Sequence, residues 1–231
     1  MTFQRVAIIG LGLIGGSLGL ALAEDLPGVA TSGYDIDPKV RTRARERGLA
    51  QVVHDDPGEA VKGADLVVLC VPVGAMRQAA ASIAADLSPM CVISDVGSSK
   101  RTITDTLQDA LPGFEVIPAH PVAGTENSGP DAGFSTLFHQ RWCIVTPPAG
   151  ADKAKVAALV DFWESLEGMR VQVNNPVATS PTGFFSNNSE EIWVLADDGA
   201  GAALAATSAP STTSRPLNSR LRQARQPSQN R

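Results

Sequence analysis

The stretch VAIIGLGLIGGSLG at residues 6–19 decides the fold class. It opens with a short apolar run that is typical of a buried strand. Gly10, Gly12 and Gly15 follow in the spacing GxGxxG, which permits a tight turn, lets a pyrophosphate approach the backbone and lets the next helix pack on the strand. The amides at that helix N-terminus would face the phosphates. The predicted cofactor-binding residues here are Gly10, Gly12, Leu13, Ile14 and Gly15.

The same region could be mistaken for a membrane span, because residues 6–23 carry no charge. Its five glycines, however, would weaken an isolated spanning helix, and a strand followed by a glycine turn explains the run better. Glycine spacing alone is a weak signal, since glycines also occur in ordinary turns. The interpretation therefore depends on the residues that come after the turn.

An acid at the end of the next strand supports the dinucleotide interpretation. The segment TSGYDID at residues 31–37 ends in Asp35, which lies 25 residues after Gly10, near the distance of the residue that holds the adenine ribose. Asp37 competes for that role, but it precedes Pro38 and resembles a helix N-cap. We assign the ribose to Asp35. A carboxylate there disfavours a 2′-phosphate, so the expected cofactor is NAD rather than NADP.

Strands and helices continue to alternate along the chain. Apolar strands are predicted at residues 64–73, 90–97, 114–121, 141–148 and 169–173, with helices at 74–87, 98–111 and 151–168. Such alternation predicts an α/β fold with a doubly wound, mostly parallel sheet, in which ligands bind at the carboxyl ends of the strands. The residues expected at those ends are Val71 and Pro72 at the cofactor, then Ser98, Ser99 and His120.

Bulk composition excludes several classes of function. The 231 residues have a formal net charge of −5, which gives no electrostatic reason to propose nucleic acid or an anionic membrane as a partner. The three cysteines lie far apart in apolar runs without metal-ligand spacing, so buried thiols and no metal are expected. With no credible export signal, we expect a cytoplasmic protein.

The motifs together resemble one family. GYDIDP at residues 33–38, VVLCVPV at 67–73, SDVGSSK at 94–100 and above all HPVAGTENSG at 120–129 are similar to the prephenate and arogenate dehydrogenases of tyrosine biosynthesis. The resemblance extends over roughly residues 4–173. It implies NAD-dependent oxidation of a cyclohexadienol that carries a ring carboxylate, with loss of carbon dioxide. The fold alone also admits a 6-phosphogluconate-like dehydrogenase, but the last motif argues against that alternative.

The resemblance also implies site residues. His120 would contact the ring hydroxyl, and histidine suits proton transfer near neutral pH. Ser98 is implied as a second hydrogen-bonding partner, and Gly124, Thr125 and Glu126 as residues near the substrate.

Each of these residues has a plainer alternative. Ser98 or Ser99 could simply cap the next helix, Glu126 could be an ordinary loop acid, and Lys100 is expected to be solvated, although it could attract substrate carboxylates. His54 and His139 have no supporting pattern and are expected to be structural or exposed.

The family pattern stops near Asn174. The resemblance implies a second, helical half that dimerises and carries a Ser-His-Leu-Pro-His-type motif and an arginine for a substrate carboxylate. No histidine follows His139, and after Asp198 the charged residues are all arginines. We therefore divide the chain into an NAD-binding domain at residues 1–173 and an aberrant or disordered tail at residues 174–231, without the family's homodimer face. We hypothesise that the tail is a frameshift product.

Three functions remain open from the sequence. The first is a prephenate dehydrogenase, impaired if the second half is needed. The second is an arogenate or dual-specificity cyclohexadienyl dehydrogenase, because the residues that separate the substrates would lie in the missing half. The third is an inactive dinucleotide-binding remnant, in which Gly10, Gly12, Gly15 and Asp35 bind NAD while His120 has no substrate.

Overall fold

The computed structural model describes residues 3–166, 168–173, 183–184 and 190–191. The expectations for the tail at residues 174–231 lie outside the described residues, apart from the backbone of those two short stretches.

A six-stranded parallel sheet forms the centre of the fold, as the alternation of strands and helices predicts. Its strands are β1 (Arg5–Ile9), β2 (Ala30–Tyr34), β3 (Val52–Val53), β4 (Leu66–Leu69), β5 (Val92–Asp95) and β6 (Glu115–Val116). Their order in the sheet is β3-β2-β1-β4-β5-β6, and every neighbouring pair is parallel. The order reverses between β1 and β4, which is where open sheets of this kind bind ligands.

Helices cover both faces of this sheet. They are α1 (Leu13–Asp25), α2 (Pro38–Arg47), α3 (Pro57–Val61), α4 (Met76–Ile83), α5 (Lys100–Ala110) and α6 (Lys153–Glu164). Alternate residues of β1 enter opposite cores: Val6 and Ile8 join one with α1, α2 and α6, while Ala7 and Ile9 join the other with α3, α4 and α5. Burial on both faces explains why these strands are continuously apolar.

Three later strands form a separate sheet, which the sequence did not predict. They are β7 (Ala119–Pro121), β8 (Trp142–Val145) and β9 (Arg170–Val173), in the order β7-β8-β9. β7 is antiparallel to β8, and β8 is parallel to β9.

The prediction of a single strand over residues 114–121 is therefore wrong. Ile117 still donates to the Ile93 carbonyl of β5 at 2.8 Å, but Pro118 has no N–H and its carbonyl accepts from Thr146 instead. The chain thus leaves the large sheet at Pro118 and joins β8. This change of sheet carries His120 across the end of β5.

No helix in the described part of the chain is long and apolar enough to cross a membrane. The charge-free run at residues 6–23 is divided between β1, the glycine turn and α1. Farther along, the two-residue strands β10 (Gly183–Phe184) and β11 (Glu190–Glu191) pair antiparallel.

Candidate active site

The glycine turn between β1 and α1 is fixed by close backbone packing. Gly10 has a φ of +98°, and a Cβ at this position would lie 2.5 Å from the carbonyl oxygen of Cys70. A Cβ on Gly15 would overlap the carbonyl oxygen of Gly10. Both positions therefore require glycine for the turn and the helix to fit together.

Gly12 has a different environment. No atom lies within 4 Å of the position that its Cβ would occupy, so the backbone faces open space. Gly12 is also the N-cap of α1, a helix of 13 residues whose N-terminus carries no side-chain cap. Helix N-terminal amides attract anions, and the opening at Gly12 lets a pyrophosphate approach them. The open backbone at Gly12 and the N-terminal amides of α1 form the pyrophosphate cradle that a bound dinucleotide would need.

A cleft of about 360 Å³ opens beside this turn. Five of the residues predicted to bind the cofactor line it: Gly10, Gly12, Asp35, Val71 and Pro72. Leu13, Ile14 and Gly15 do not line it, because Leu13 and Ile14 pack against the core and Gly15 packs against Gly10. Sequence patterns did not predict the remaining wall. It is formed by α4 with the residue before it and by the residues flanking Asp35, namely Tyr34, Ile36, Ala75, Gln78, Ala79 and Ser82.

Asp35 is braced by the backbone at the end of β2. Its Oδ2 accepts a hydrogen bond from Leu11 N at 2.8 Å, and its Oδ1 accepts one from Asp37 N at 3.0 Å. The carboxylate thereby ties the glycine turn to β2 while lining the cleft. The N-cap role predicted for Asp37 is confirmed, since its side chain accepts from Lys39 N at 2.8 Å and Pro38 opens α2.

His120 lies half-buried on β7, and its Nδ1 is 3.0 Å from the carbonyl oxygen of Val96, the residue after β5. A carbonyl oxygen can only accept a hydrogen bond, so Nδ1 carries the proton in this arrangement. In the neutral ring, Nε2 then holds the lone pair. The contact thus selects the tautomer in which Nε2 can accept a proton.

Lys100 is buried, and the expectation that it is solvated is wrong. Its Nζ donates to both carboxylate oxygens of Asp95, at 2.7 Å and 2.6 Å, and to the carbonyl of Ala119 at 2.5 Å. These three acceptors use all three N–H groups of an ammonium, so Lys100 has none left for a substrate carboxylate.

Burial shapes the ionisation of both partners. It raises the pKa of Asp95, because desolvation disfavours the anion, and the Lys100 charge opposes this effect. Burial likewise lowers the pKa of Lys100, against the opposing effect of Asp95. The ion pair is therefore costly to bury and depends on both partners being present.

Ser98 and Ser99 lie exposed between β5 and α5. Ser99 is the N-cap residue of α5, but its side chain makes no capping hydrogen bond. The Ser98 carbonyl accepts from Lys100 N at 3.1 Å. Ser98 thus follows two residues after Val96, the residue that holds His120.

The three residues predicted to contact the substrate, Gly124, Thr125 and Glu126, are exposed in the loop after β7. Thr125 Oγ1 accepts from Asn127 N at 3.2 Å, which forms a local turn.

The far end of this loop is fastened to the dinucleotide domain by residues that the sequence did not reveal. Arg47 of α2 donates to the carbonyls of Pro130 and of Gly133, the latter at 2.9 Å. The buried hydroxyl of Ser17 in α1 accepts from Phe134 N at 3.0 Å. Nothing in the local sequence around Arg47 or Ser17 signals these contacts, because their partners lie more than 80 residues away.

Among the other nucleophilic and metal-binding side chains, Cys70 lines the cleft beside Val71. The three cysteines are free thiols, and burial raises the pKa of Cys91 to about 12. Within the described ranges, no cluster of His, Cys, Asp and Glu could hold a metal ion. His54 and His139 are half-buried, and neither lines the cleft.

Comparison with known proteins identifies the fold and the family. A family model described as the nucleotide-binding domain of prephenate dehydrogenase matches residues 18–172. A second model, a domain of unknown function, matches residues 151–221 and so crosses the boundary predicted at residue 173.

Curated relatives agree with the first model. The chain is 48% identical over 166 residues to a cyclohexadienyl dehydrogenase of Zymomonas mobilis, covering 72% of this chain and 57% of that protein. It is 32% identical over 173 residues to a prephenate dehydrogenase of Bacillus subtilis, covering 74% of this chain and 47% of that protein. The chain therefore spans about half the length of the curated relatives it matches.

Solved structures of similar fold support the same family. An Aquifex aeolicus prephenate dehydrogenase in complex with hydroxyphenyl propionate and NAD+ superposes with a TM-score of 0.68 and 27% identity, over 75% of this chain and 60% of that one. A Synechocystis arogenate dehydrogenase gives a TM-score of 0.67 and 28% identity, over 73% and 59%. The resemblance carried by the motifs is confirmed: this chain belongs to the prephenate dehydrogenase family.

Proposed function

We propose that this chain binds NAD and oxidatively decarboxylates prephenate to 4-hydroxyphenylpyruvate, a step in tyrosine biosynthesis. The observation that carries the proposal is the 3.0 Å contact between His120 Nδ1 and the Val96 carbonyl, which supports a role for Nε2 as the proton acceptor. The family relationship supports the reaction class, since the matched relatives are named prephenate and cyclohexadienyl dehydrogenases.

Residues of the glycine turn and the cleft support a site for the cofactor. Gly12 leaves room for the pyrophosphate at the N-terminus of α1, and Asp35, Val71 and Pro72 line the adjoining cleft. When bound, NAD supplies the acceptor for a hydride. The carboxylate of Asp35 would repel the 2′-phosphate of NADP, which is why we propose NAD as the preferred cofactor.

His120 acts as the general base in this proposal. As the ring carbinol loses its hydride, Nε2 takes the proton of the hydroxyl group, and the carbinol becomes a ketone. Loss of the ring carboxylate as carbon dioxide then returns the electron pair of the broken C–C bond to the ring, which becomes aromatic. The former carbonyl oxygen recovers a proton from His120, so atoms and charges balance. Ser98 would hydrogen-bond the same oxygen. Gly124 would lie near the substrate, with Thr125 and Glu126 near the nicotinamide and the substrate entrance.

Arogenate is the alternative substrate, alone or together with prephenate. The matched relatives include a cyclohexadienyl dehydrogenase and, among solved structures, an arogenate dehydrogenase. The two substrates differ in a keto or amino group on the side chain, away from the carbinol that His120 would serve.

The test is NADH formation by the purified full chain with NAD and either prephenate or arogenate. We expect turnover with at least one substrate and a loss of about 10²-fold or more in kcat for His120→Asn, the usual range for a missing general base. His54→Asn is the matched control, because His54 does not line the cleft, and it should leave turnover unchanged. Turnover by His120→Asn at the wild-type rate would contradict the assignment of the base.

A second candidate is a domain that binds NAD without turnover. The exposure of Gly124, Thr125 and Glu126 favours it, since catalysis of this kind benefits from a water-excluded site. Calorimetric binding of NAD together with no NADH from either substrate would support this candidate and contradict the first.

A further inference from the structure

We infer that the buried Asp95–Lys100 ion pair is a positioning device that holds His120 in the tautomer required of a general base. The inference rests on the proposed function for its catalytic meaning, but its structural content can be measured without turnover. Neither residue would touch substrate or cofactor. They would act through the backbone segments on either side of the histidine.

The geometry places the ion pair between the two segments that meet at His120. Asp95 ends β5 and precedes Val96, whose carbonyl holds His120 Nδ1. Ala119, whose carbonyl accepts from Lys100 Nζ, begins β7 and precedes His120. The Lys100 ammonium group therefore connects Asp95, which precedes Val96, to Ala119, which precedes His120.

The two strands need such a connection because they belong to different sheets. β5 lies in the six-stranded sheet and β7 in the three-stranded sheet. The segment before β7 makes its last backbone hydrogen bond to β5 from Ile117 N to the Ile93 carbonyl. Pro118 then turns the chain away from β5. Beyond that point, Lys100 connects Asp95 to the Ala119 carbonyl, and the Ala119 backbone N–H also hydrogen-bonds the Asp95 carboxylate.

A purely stabilising role explains the pair poorly. Asp95 is fully buried and Lys100 is 5% exposed, and apolar residues of similar size often stabilise such sites as well as an ion pair does. Lys100 is also the first residue of α5, where the positive end of the helix dipole disfavours a cation. Directional contacts to both Asp95 and Ala119 are what an apolar pair could not supply, and they set the distance between Val96 and His120.

The test measures the His120 tautomer by long-range ¹H–¹⁵N NMR of the full chain with labelled histidine. The chain has three histidines, so His54→Gln and His139→Gln variants assign the signals. In the wild type we expect the Nδ1–H form to dominate. In Lys100→Met we expect the Nε2–H form, which imidazole favours in water, to become a major species. kcat should fall at least tenfold, while the affinity for NAD stays within twofold.

Two further variants keep the test decisive. Lys62→Met is the matched control, because Lys62 pairs with Glu59 on the surface, and it should change neither tautomer nor kcat. If Lys100→Met does not fold, Asp95→Asn/Lys100→Met removes both charges and leaves no unpaired ion in the core. A folded variant with the wild-type tautomer would overturn the inference. So would a double variant that fails to fold, since the pair would then be required for the fold rather than for His120.

The outcomes for the two proposals are separable. If the wild type gives no NADH but the tautomer changes on loss of the pair, the proposed function fails and the positioning role stands. If the wild type turns over and a folded Lys100→Met variant keeps both the tautomer and kcat, the positioning role fails alone.

Discussion

Substitution of two glycines of the same turn should separate cofactor binding from folding. In Gly12→Ala, the added methyl group has no protein atom within 4 Å, so the fold should tolerate it. In Gly15→Ala, the methyl group would overlap the carbonyl oxygen of Gly10, with the Cys70 Cβ 3.1 Å away. The same chemical change, three positions apart, therefore meets solvent in one case and backbone in the other.

The expected magnitudes differ accordingly. Gly12→Ala should change the free energy of unfolding by no more than about 1 kcal/mol, as for substitutions that create no clash. It should weaken NAD binding by at least about tenfold, because displacing a phosphate from even one backbone amide costs about 1.5–3 kcal/mol. Gly15→Ala must move the backbone of Gly10 or the start of α1, which should cost about 3 kcal/mol or more. That is a large part of a typical total stability of about 5–15 kcal/mol.

Urea denaturation and calorimetric titration with NAD measure the two quantities. Gly28→Ala is the matched control, since its methyl group also meets no atom within 4 Å but lies at the opposite end of α1. It should change neither stability nor binding. Wild-type affinity for NAD in Gly12→Ala would refute the pyrophosphate cradle, and an equal loss of stability in Gly12→Ala and Gly15→Ala would refute the packing argument.

Three further outcomes are expected. Asp35→Asn keeps an acceptor for Leu11 N but removes the negative charge. The preference for NAD over NADP should therefore fall about tenfold in binding titrations. An unchanged ratio of the two affinities would contradict the charge argument. Because burial raises the pKa of Cys91 to about 12, only about one thiolate in ten thousand exists at pH 8, and mass spectrometry should find it alkylated in urea but not in the native protein. Arg47→Ala loses the hydrogen bonds to the Pro130 and Gly133 carbonyls. Hydrogen exchange at residues 129–133 should therefore accelerate several-fold while the affinity for NAD stays constant. Unchanged exchange would mean that Arg47 does not hold the loop.

Local sequence signals were sufficient to predict that Gly10, Gly12 and Asp35 come together at one cleft. The GxGxxG spacing places Gly10 and Gly12 in the turn, and a predicted strand ending in acids places Asp35 at the edge of the same cleft. These features depend on neighbours in sequence or on the regular geometry of parallel strands, so a pattern can reveal them. Ile36 and Gln78 also line the cleft, but no pattern marks them, since their positions depend on how α2 and α4 pack.

The second sheet depends on a long-range choice that periodicity does not record. Residues 114–121 are rich enough in apolar residues to predict one strand, but the chain turns to β8 where the Pro118 carbonyl accepts a hydrogen bond from Thr146 N. Proline was the available signal, because it cannot donate to a central ladder.

The origin of the tail at residues 174–231 is a question for its coding sequence. A frameshift is still a hypothesis, and reading the coding DNA in the other two frames would decide it. The match of residues 151–221 to a family model bears on the question, because a reading-frame slip confined to this chain would not be expected to match a recurring domain. The match therefore favours a segment with relatives of its own.

Lys100 illustrates why a motif can identify a site without explaining it. From the sequence, a lysine at the start of a helix after GSS is most simply solvated. The signal that argued otherwise was Asp95, an acid that ends an apolar run in the middle of a parallel sheet and so must be buried with a partner. Once Asp95 requires a cation, Lys100 is the nearest candidate in sequence. Its third hydrogen bond then links β5 to the residue before His120. The histidine itself could be predicted from its motif, but the carbonyl that contacts its Nδ1 follows β5, a strand of the other sheet.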